Sequence, residues 1–193
     1  MAGNKRKDEK FLYLTPEQFA IFRESAYNRN VKWGLFFDMI MQVGFRVSEG
    51  LLVTPKDLLL KTSEINATTL KRKTKPMIPI KVSESLLNGL LLYVESRAIK
   101  PNKHIFIFTR QRAWQVFKEI LKSCKLSINY SPHALRHCQG MISAEVLKDK
   151  SLVARRLRHS GDRHTWRYIH LTNKMGDDIV ERMEQYNKKK DNK

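Results

Sequence analysis

The chain has 193 residues, 41% of them hydrophobic, and its 37 Lys and Arg residues exceed its 19 Asp and Glu residues by 18. This size is enough for one compact core and too small for two full domains. Such a positive charge favours a polyanionic partner, although a ribosomal or chaperone-like protein would share it. Nucleic acid fits best, because Lys and Arg contacts to phosphates supply most non-specific affinity, whereas a membrane-surface role calls for a basic amphipathic anchor.

Two cysteines, Cys124 and Cys138, occur without CxxC or paired His spacing. They predict neither a disulfide framework nor a zinc site, and therefore an intracellular, reducing compartment. Residues 1–10 are charged and lack the apolar core of a signal peptide, and Asp38 interrupts the longest apolar stretch. We therefore expect a soluble, cytoplasmic protein with no membrane partner.

The first predicted helix begins at Thr15-Pro16-Glu17-Gln18, which combines a capping Thr, a Pro at the first helical position and a Gln three residues after the cap. Its buried face would contain Phe19, Phe22 and Ala26. A second, core helix is predicted from apolar residues at helical spacing, and Gly44 is its expected end. These apolar residues are Leu35, Phe36, Met39, Ile40 and Val43.

A β-hairpin is predicted between about residues 57 and 81. Residues 64–70 include β-branched side chains, residues 77–80 are mostly apolar, and residues 71–75 would form a charged turn. Helical spacing returns near Leu86 and again near Val116, and the chain is expected to be helical from there to its end. A last helix at about 177–187 would carry Ile179, Val180, Met183 and Tyr186 on one side, for packing internally or on another subunit.

Residues suited to phosphate chemistry are spread along the whole chain. Asp38, Glu49 and Asp57 are too scattered in sequence to suggest a two-metal nuclease site, and no Gly-rich Walker loop is present, so neither a metal nor a cofactor is expected. The remaining candidates are Arg46, the lysines Lys71, Lys73 and Lys75, and His133, Arg136, His159 and Tyr168.

Two of these residue types suit attack on a phosphodiester. Arginine can hold two phosphate oxygens and stays ionised, so two arginines can stabilise the charge of the transition state. A tyrosine hydroxyl, with a usual pKa near 10, needs a base or a cationic field to attack at neutral pH. Each residue alone has an ordinary structural explanation, so the order and spacing of the whole set must decide.

That set resembles the tyrosine recombinase, or phage integrase, family in three places. Residues 44–49 (GFRVSE) are similar to the family's Gly-x-Arg-x-Ser-Glu, and residues 131–137 (SPHALRH) contain its His-x-Leu-Arg-His box. The third is Leu157-Arg158-His159-Ser160, followed by Tyr168 nine residues after His159. The resemblance runs from about residue 11 to 172, so it covers most of the chain.

The resemblance implies a role for each matching residue. Arg46 and Arg136 would bind the scissile phosphate, His133 would assist proton transfer, His159 would donate a hydrogen bond to the phosphate and Tyr168 would be the nucleophile. Glu49 would support these residues. The catalytic lysine is expected on the hairpin before Pro79, with Lys73 preferred and Lys71 as the alternative.

The sequence departs from the family at two points. Arg158 stands where the family usually has Gly before the His, which would alter the turn that presents His159 or add a phosphate contact. The family's usual N-terminal helical domain has no counterpart here. The sequence is then either the catalytic part of a longer protein or a naturally short member, like the fimbrial phase-switch recombinases.

The resemblance implies an α+β, mainly α-helical fold with a small antiparallel β-sheet, like a tyrosine recombinase catalytic domain. We expect a basic tail at residues 1–10, a catalytic domain at 11–176, and a C-terminal helix and basic tail at 177–193 that dock on a neighbouring subunit. The expected partner is double-stranded DNA. The protein is expected to form a homo-tetramer on DNA and to be a monomer in solution without it. The resemblance implies a site-specific DNA recombinase that breaks and rejoins strands through a 3′-phosphotyrosyl intermediate. The alternatives are a type IB topoisomerase-like enzyme and a non-catalytic DNA-binding protein.

Overall fold

The computed structural model describes residues 13–68, 77–159 and 165–171. Its helices are α1 (Pro16–Arg29), α2 (Val31–Val43), α3 (Val47–Gly50), α4 (Glu84–Ser96), α5 (Arg110–Ser123), α6 (His133–Leu147) and α7 (Lys150–Leu157), and residues 165–171 are also helical. The strands β1 (Leu58–Leu59), β2 (Glu64–Thr68) and β3 (Met77–Lys81) form one antiparallel sheet in that order. The predicted mainly α-helical α+β class is confirmed.

The first helix begins, and the second ends, where the sequence predicts. Thr15 Oγ1 accepts a hydrogen bond from the Gln18 amide at 3.3 Å, and Gln18 Oε1 accepts one from the Thr15 amide at 3.1 Å. Helix α2 ends at Gly44, whose φ of 70° lies in the left-handed region that glycine adopts without strain. A Cβ there would also lie 2.9 Å from Leu157 Cδ2, but that is the end of a flexible side chain, so the backbone conformation is the stronger reason for glycine.

Helix α2 is the centre of the hydrophobic core. It packs against α1, α4 and α6, and most of its residues are buried. A helix that is apolar on nearly all faces belongs in an interior. A cluster of aromatic rings in edge and tilted contacts joins it to α1, α5 and the segment after α4, and comprises Phe22, Phe36, Phe37, Phe106 and Phe117. The predicted buried residues Phe19, Phe22 and Ala26 of α1 are confirmed.

The predicted hairpin is confirmed in its two strands. Ile65 of β2 pairs with Ile80 of β3, and both side chains are buried. The two-residue strand β1, which the sequence analysis did not predict, pairs Leu58 with the same Ile65. The charged turn, including Lys71 and Lys73, lies outside the described residues, as does the predicted helix at 177–187.

The end of the chain is mostly helical in its described parts, as predicted, but residues 124–132 form turns instead of continuing α5. Lys125 adopts a φ of 56°, which breaks the helix, and Lys118 Nζ donates to the Ile128 and Tyr130 carbonyls and so holds the turn. Within the described ranges, the structure contains no helix with the length and apolar character needed to cross a bilayer.

Candidate active site

The carboxyl end of α2 is where the distant parts of the chain meet. The last carbonyl groups of a helix lack partners within the helix and need donors from elsewhere. Here arginine side chains from α6 and from the end of α7 supply them. Arg156 donates to the Gln42 carbonyl, Arg158 to the Val43 and Gly44 carbonyls, and Arg136 to the Gly44 and Leu157 carbonyls. The packing of α6 and α7 on α2 is therefore fixed by arginines.

Glu49, on the short helix α3, is the acidic centre of this group. Its Oε2 accepts a hydrogen bond from the Arg46 amide at 2.9 Å, and its Oε1 is 2.7 Å from Arg46 Nη1. Oε2 also lies 3.7 Å from Arg136 Nη1 and 3.5 Å from Arg158 Nη2. Burial alone would raise the pKa of this carboxyl, but the hydrogen bonds from Arg46 and the positive charges of Arg46 and Arg136 together outweigh it and lower the pKa. Glu49 thus joins three arginines as a buried carboxylate.

Three guanidinium groups around one carboxylate leave an excess of two positive charges. Burial lowers the pKa of Arg136 to about 9 and that of Arg158 to about 10, and both groups remain charged at neutral pH. The side chain of Arg46 is 25% exposed, whereas that of Arg136 is 1% exposed. In this conformation, only Arg46 of the two predicted phosphate-binding arginines reaches solvent.

Tyr168 is buried against α6. Its hydroxyl lies 2.9 Å from His137 Nδ1, and the whole residue is 2% exposed. The ring packs directly over Gly140, where a Cβ would lie 2.5 Å from the ring carbon Cε1. Burial raises the pKa of the phenol to about 12, and the positive charges of Arg136, Arg167 and Arg46 oppose that rise only in part. The buried position therefore keeps the phenol protonated.

The rings of His137 and His159 lie beside that of Tyr168, and His133 lies beside His137. The rings of His133 and His137 are 4.6 Å apart, and the ring of His159 stacks at 6.1 Å from that of Tyr168. His159 Nδ1 also lies 2.9 Å from Thr165 Oγ1, at the start of the helix that carries Tyr168. Burial lowers the pKa of His137 to about 3, with help from the charges of His133 and Arg136 among others, so His137 is neutral.

Arg46 and His133 share a groove of about 650 Å³. Its far wall is the first turns of α5, which present Arg110, Gln111 and Trp114. Trp114 is half exposed. A groove that combines arginines with an exposed aromatic ring suits contact with a phosphate backbone.

The structure brings together five of the six residues that the sequence analysis put forward as catalytic, namely Arg46, His133, Arg136, His159 and Tyr168. Lys73 and its alternative Lys71 lie outside the described residues. Glu49 lies between the two arginines. The sequence analysis missed the contacts of His137 and Gly140 with Tyr168, although the His-x-Leu-Arg-His box contains His137 and gave a signal for it.

Arg158, which stands where the family usually has Gly, keeps the turn before His159 and does not extend into solvent. Its φ of 55° keeps the left-handed turn at the end of α7. The side chain points inward and is buried, so in this conformation it is not an exposed phosphate contact.

The sequence matches the Phage integrase family over residues 13–175. The chain belongs to this family. It is 28% identical over 145 residues to tyrosine recombinase XerD of Lacticaseibacillus casei and 25% identical over 144 residues to that of Halalkalibacterium halodurans. These regions cover 71% and 70% of this integrase-family chain but 50% and 48% of the relatives. The chain thus spans about half the length of the curated relatives it matches.

Solved integrase-family structures share the fold at low sequence identity. XerA recombinase superposes with a TM-score of 0.75 at 19% identity, over 89% of this chain and 65% of that one. XerH bound to palindromic difH substrate in a post-cleavage complex gives 0.74 at 20% identity, over 88% and 52%. The catalytic domain of bacteriophage HP1 integrase gives 0.65 at 20% identity, over 82% and 87%. The integrase-family fold therefore extends over most of this chain.

Proposed function

We propose that this chain is the catalytic domain of a site-specific DNA recombinase that cuts and rejoins strands through a 3′-phosphotyrosyl bond to Tyr168. The observation that carries the proposal is the meeting of Arg46 and Arg136 on the buried carboxylate of Glu49, beside the phenol of Tyr168. These residues come from α3, α6 and the helix at 165–171, so local structure alone does not explain why they converge.

The excess positive charge of the arginine group suits a phosphodiester. In the proposed reaction the Tyr168 oxygen attacks phosphorus, the bond to the 5′ oxygen breaks, and charge builds on the non-bridging oxygens. Arg46 stabilises that charge from the groove, and Arg136 does so once its guanidinium turns toward the phosphate; loss of one such contact typically costs about 10²–10³ in rate. Arg46 and Arg136 are assigned this role, and His159 is assigned a hydrogen bond to the same phosphate.

Proton transfer completes the step. The phenol loses its proton as it attacks, with His133 assisting, and the leaving 5′ oxygen gains one from Lys73, or alternatively Lys71. A 5′ hydroxyl of the partner strand then attacks the phosphotyrosyl bond and releases Tyr168. Because each step exchanges one phosphoester for another, the bond energy is conserved and no nucleotide is consumed.

The buried phenol has a consequence for this reaction. With a pKa of about 12 and 2% exposure, Tyr168 cannot meet a DNA phosphate without moving from its contact with His137. The helix at 165–171 must therefore shift when DNA is bound. We propose that the groove bearing Arg46, His133 and Arg110 receives duplex DNA and that this binding accompanies the shift.

The assembly is proposed from the same family resemblance. Two DNA sites would be held by a homo-tetramer that forms on DNA from monomers, with residues 177–193 of each copy docking on a neighbour. XerH, which this chain resembles in fold, was solved bound to its difH substrate, and this supports double-stranded DNA as the partner. Residues 11–176 form the proposed catalytic domain, and residues 1–10 a basic tail.

A nicked suicide substrate tests the proposed chemistry. Cleavage next to the nick releases a short fragment, so the covalent protein–DNA adduct cannot be reversed and accumulates. We expect the intact protein to form this adduct and Tyr168→Phe, which keeps the ring and its packing on Gly140, to form none. An adduct that survives in Tyr168→Phe, or no adduct from the intact protein on its own DNA site, contradicts the assignment.

A strand-exchange assay distinguishes a recombinase from the two alternative functions. Exchange between two defined DNA sites supports the proposal, whereas relaxation of supercoiled DNA without exchange supports a type IB topoisomerase-like activity. Tight DNA binding with neither activity identifies a non-catalytic DNA-binding protein. Arg46→Ala and Arg136→Ala should leave duplex binding mostly intact and abolish adduct formation.

A further inference from the structure

We propose that Arg158 is a positioning residue for the cleavage reaction, because it holds Glu49 and the end of α2, and through them Arg46 and Arg136. The inference rests on the proposed function for its effect on cleavage. Its structural basis, the contact between Arg158 and Glu49, can be tested without any cleavage.

The backbone at Arg158 is strained for any residue with a side chain. It ends α7 with φ 55° and ψ 39°, the left-handed conformation that glycine adopts freely and other residues adopt at a cost. Glycine is also what the family usually has before this histidine. The cost of placing an arginine here must be offset by contacts of its side chain.

Most of those contacts are with the carboxyl end of α2 and with residues near it, and Nη1 also donates to the Arg156 carbonyl of α7 at 3.3 Å. The Arg158 Nη1 donates to the Val43 carbonyl at 3.0 Å, and Nη2 donates to the Gly44 carbonyl at 3.1 Å. Nη2 also lies 3.5 Å from Glu49 Oε2, and the guanidinium carbon stands 5.1 Å from the centre of the Phe45 ring. The residue is 2% exposed, so its charge is committed to the interior.

Arg158 shares its acceptors with the proposed catalytic arginine of α6. The Gly44 carbonyl and Glu49 Oε2 are contacted by Arg136 Nη1 as well as by Arg158 Nη2. The other carboxylate oxygen, Oε1, binds Arg46. Movement of Glu49 would therefore shift Arg46 and Arg136 together, and movement of the Gly44 carbonyl would shift Arg136. Arg158 restrains both acceptors.

The geometry requires a guanidinium group. Its planar fork reaches two neighbouring carbonyls and a carboxylate together, whereas a lysine ammonium is a single point on a flexible stem. The residue also lies directly before His159, whose amide donates to the Ala154 carbonyl at 2.9 Å. Anchoring residue 158 to α2 therefore also fixes where the chain carries His159.

The first test compares Arg158→Gly with Arg158→Lys in single-turnover cleavage of the suicide substrate at saturating DNA. The glycine variant relieves the backbone strain and removes the side chain, whereas the lysine variant keeps the charge and most of the volume. We expect both to bind DNA as the intact protein does, because residue 158 is buried, and to cleave about 10²-fold more slowly, because small misplacements of catalytic groups have effects of that size.

Two controls separate positioning from loss of charge or of structure. Arg155→Ala removes the same charge from an exposed position on the same helix and should cleave at the rate of the intact protein. Millimolar methylguanidinium should restore part of the cleavage by Arg158→Gly, because it can occupy the vacated space, and should not help Arg158→Lys. A purely structural defect would not be restored in this way.

The second test is independent of catalysis. The free energies of unfolding of Arg158→Gly, Glu49→Gln and the double variant are measured by urea denaturation. If Arg158 holds Glu49, the double variant loses less stability than the two single losses added together. Additive losses overturn the inference, whether or not the intact protein forms an adduct. Absence of an adduct from the intact protein refutes the proposed function and leaves this stability test valid. Cleavage by Arg158→Gly at the rate of the intact protein overturns the inference as well.

Discussion

Replacing Gly140 by alanine tests how Tyr168 is held. The new Cβ would lie 2.5 Å from Cε1 and 2.6 Å from Cζ of the Tyr168 ring. Carbon atoms in favourable contact stand about 3.5 Å apart or more, so the ring must retreat by roughly 1 Å. Because Cζ carries the hydroxyl, the distance of 2.9 Å between that oxygen and His137 Nδ1 would increase beyond hydrogen-bonding distance.

Three contributions set the stability of the Gly140→Ala variant. Alanine for glycine inside a helix gains about 1 kcal/mol. Overpacking of a filled site costs about 1–3 kcal/mol, and loss of the buried hydrogen bond about 1 kcal/mol. The net expectation is a destabilisation of about 1–3 kcal/mol, and each kcal/mol corresponds to about 2–4 °C in melting temperature for a chain of this size.

The assay joins thermal unfolding to chemical nitration of tyrosine, which requires an accessible phenolate, with the modified residues identified by mass spectrometry. In the intact protein Tyr168 should resist nitration, and in Gly140→Ala it should react, because a partly solvated phenol returns toward its usual pKa of 10 from about 12. Gly89→Ala is the matched control, since its Cβ meets only the mobile end of Leu35, at 2.9 Å. A Gly140→Ala protein that melts like the intact one and keeps Tyr168 protected would refute the reasoning.

Three further predictions follow from buried groups. The pKa of His137 is about 3 in the folded protein and 6.5 when exposed, so the free energy of unfolding should fall as pH falls from 6.5 toward 3. In His137→Gln this loss of stability in acid should shrink, as urea unfolding at several pH values would measure. The same dependence of stability on pH in the variant and the intact protein would contradict the prediction. The pKa of Tyr168 rises from 10 to about 12 on folding, so stability should fall as pH rises from 10 toward 12, and Tyr168→Phe should remove that part of the alkaline loss in the same measurement. Asp38→Asn should cost about 2 kcal/mol by weakening the charged hydrogen bond from Arg23 that links α1 to α2. Equal urea midpoints for Asp38→Asn and the intact protein would contradict it.

The helices were predictable because their signals are local. Thr15, Pro16 and Gln18 form the cap of α1 within four residues, and Gly44 ends α2 by a conformation of its own backbone. Strand β1 was missed because two residues, Leu58 and Leu59, have no periodicity, and they become a strand only by pairing with β2. The turns at 124–132 were missed because Lys118 holds them from a helix that precedes them.

The candidate site was predictable as a set of residues but not as a geometry. The motifs that resemble the integrase family placed Arg46, Arg136 and Tyr168 in one site, because in that family the matching residues meet in the fold. That Tyr168 lies buried over Gly140 depends on how the helix at 165–171 packs on α6, which no spacing encodes. The same holds for Arg158: its sequence position allows either an altered turn or a phosphate contact, and only the packing of α7 on α2 turns its side chain inward.

The burial of Arg136 suggests an order of events on DNA. Both of its terminal nitrogens donate to backbone carbonyls, at Gly44 and Leu157, whereas the Arg46 side chain is part exposed and shares the groove with His133. In the proposed reaction, an arriving phosphate would therefore meet Arg46 first. Its negative charge would then favour turning the Arg136 guanidinium outward, since the anion offers a charged acceptor in place of neutral carbonyls. Glu49 contacts both arginines, so in the proposed reaction the carboxylate that holds Arg46 in the groove would also restrain Arg136 until the phosphate competes for it.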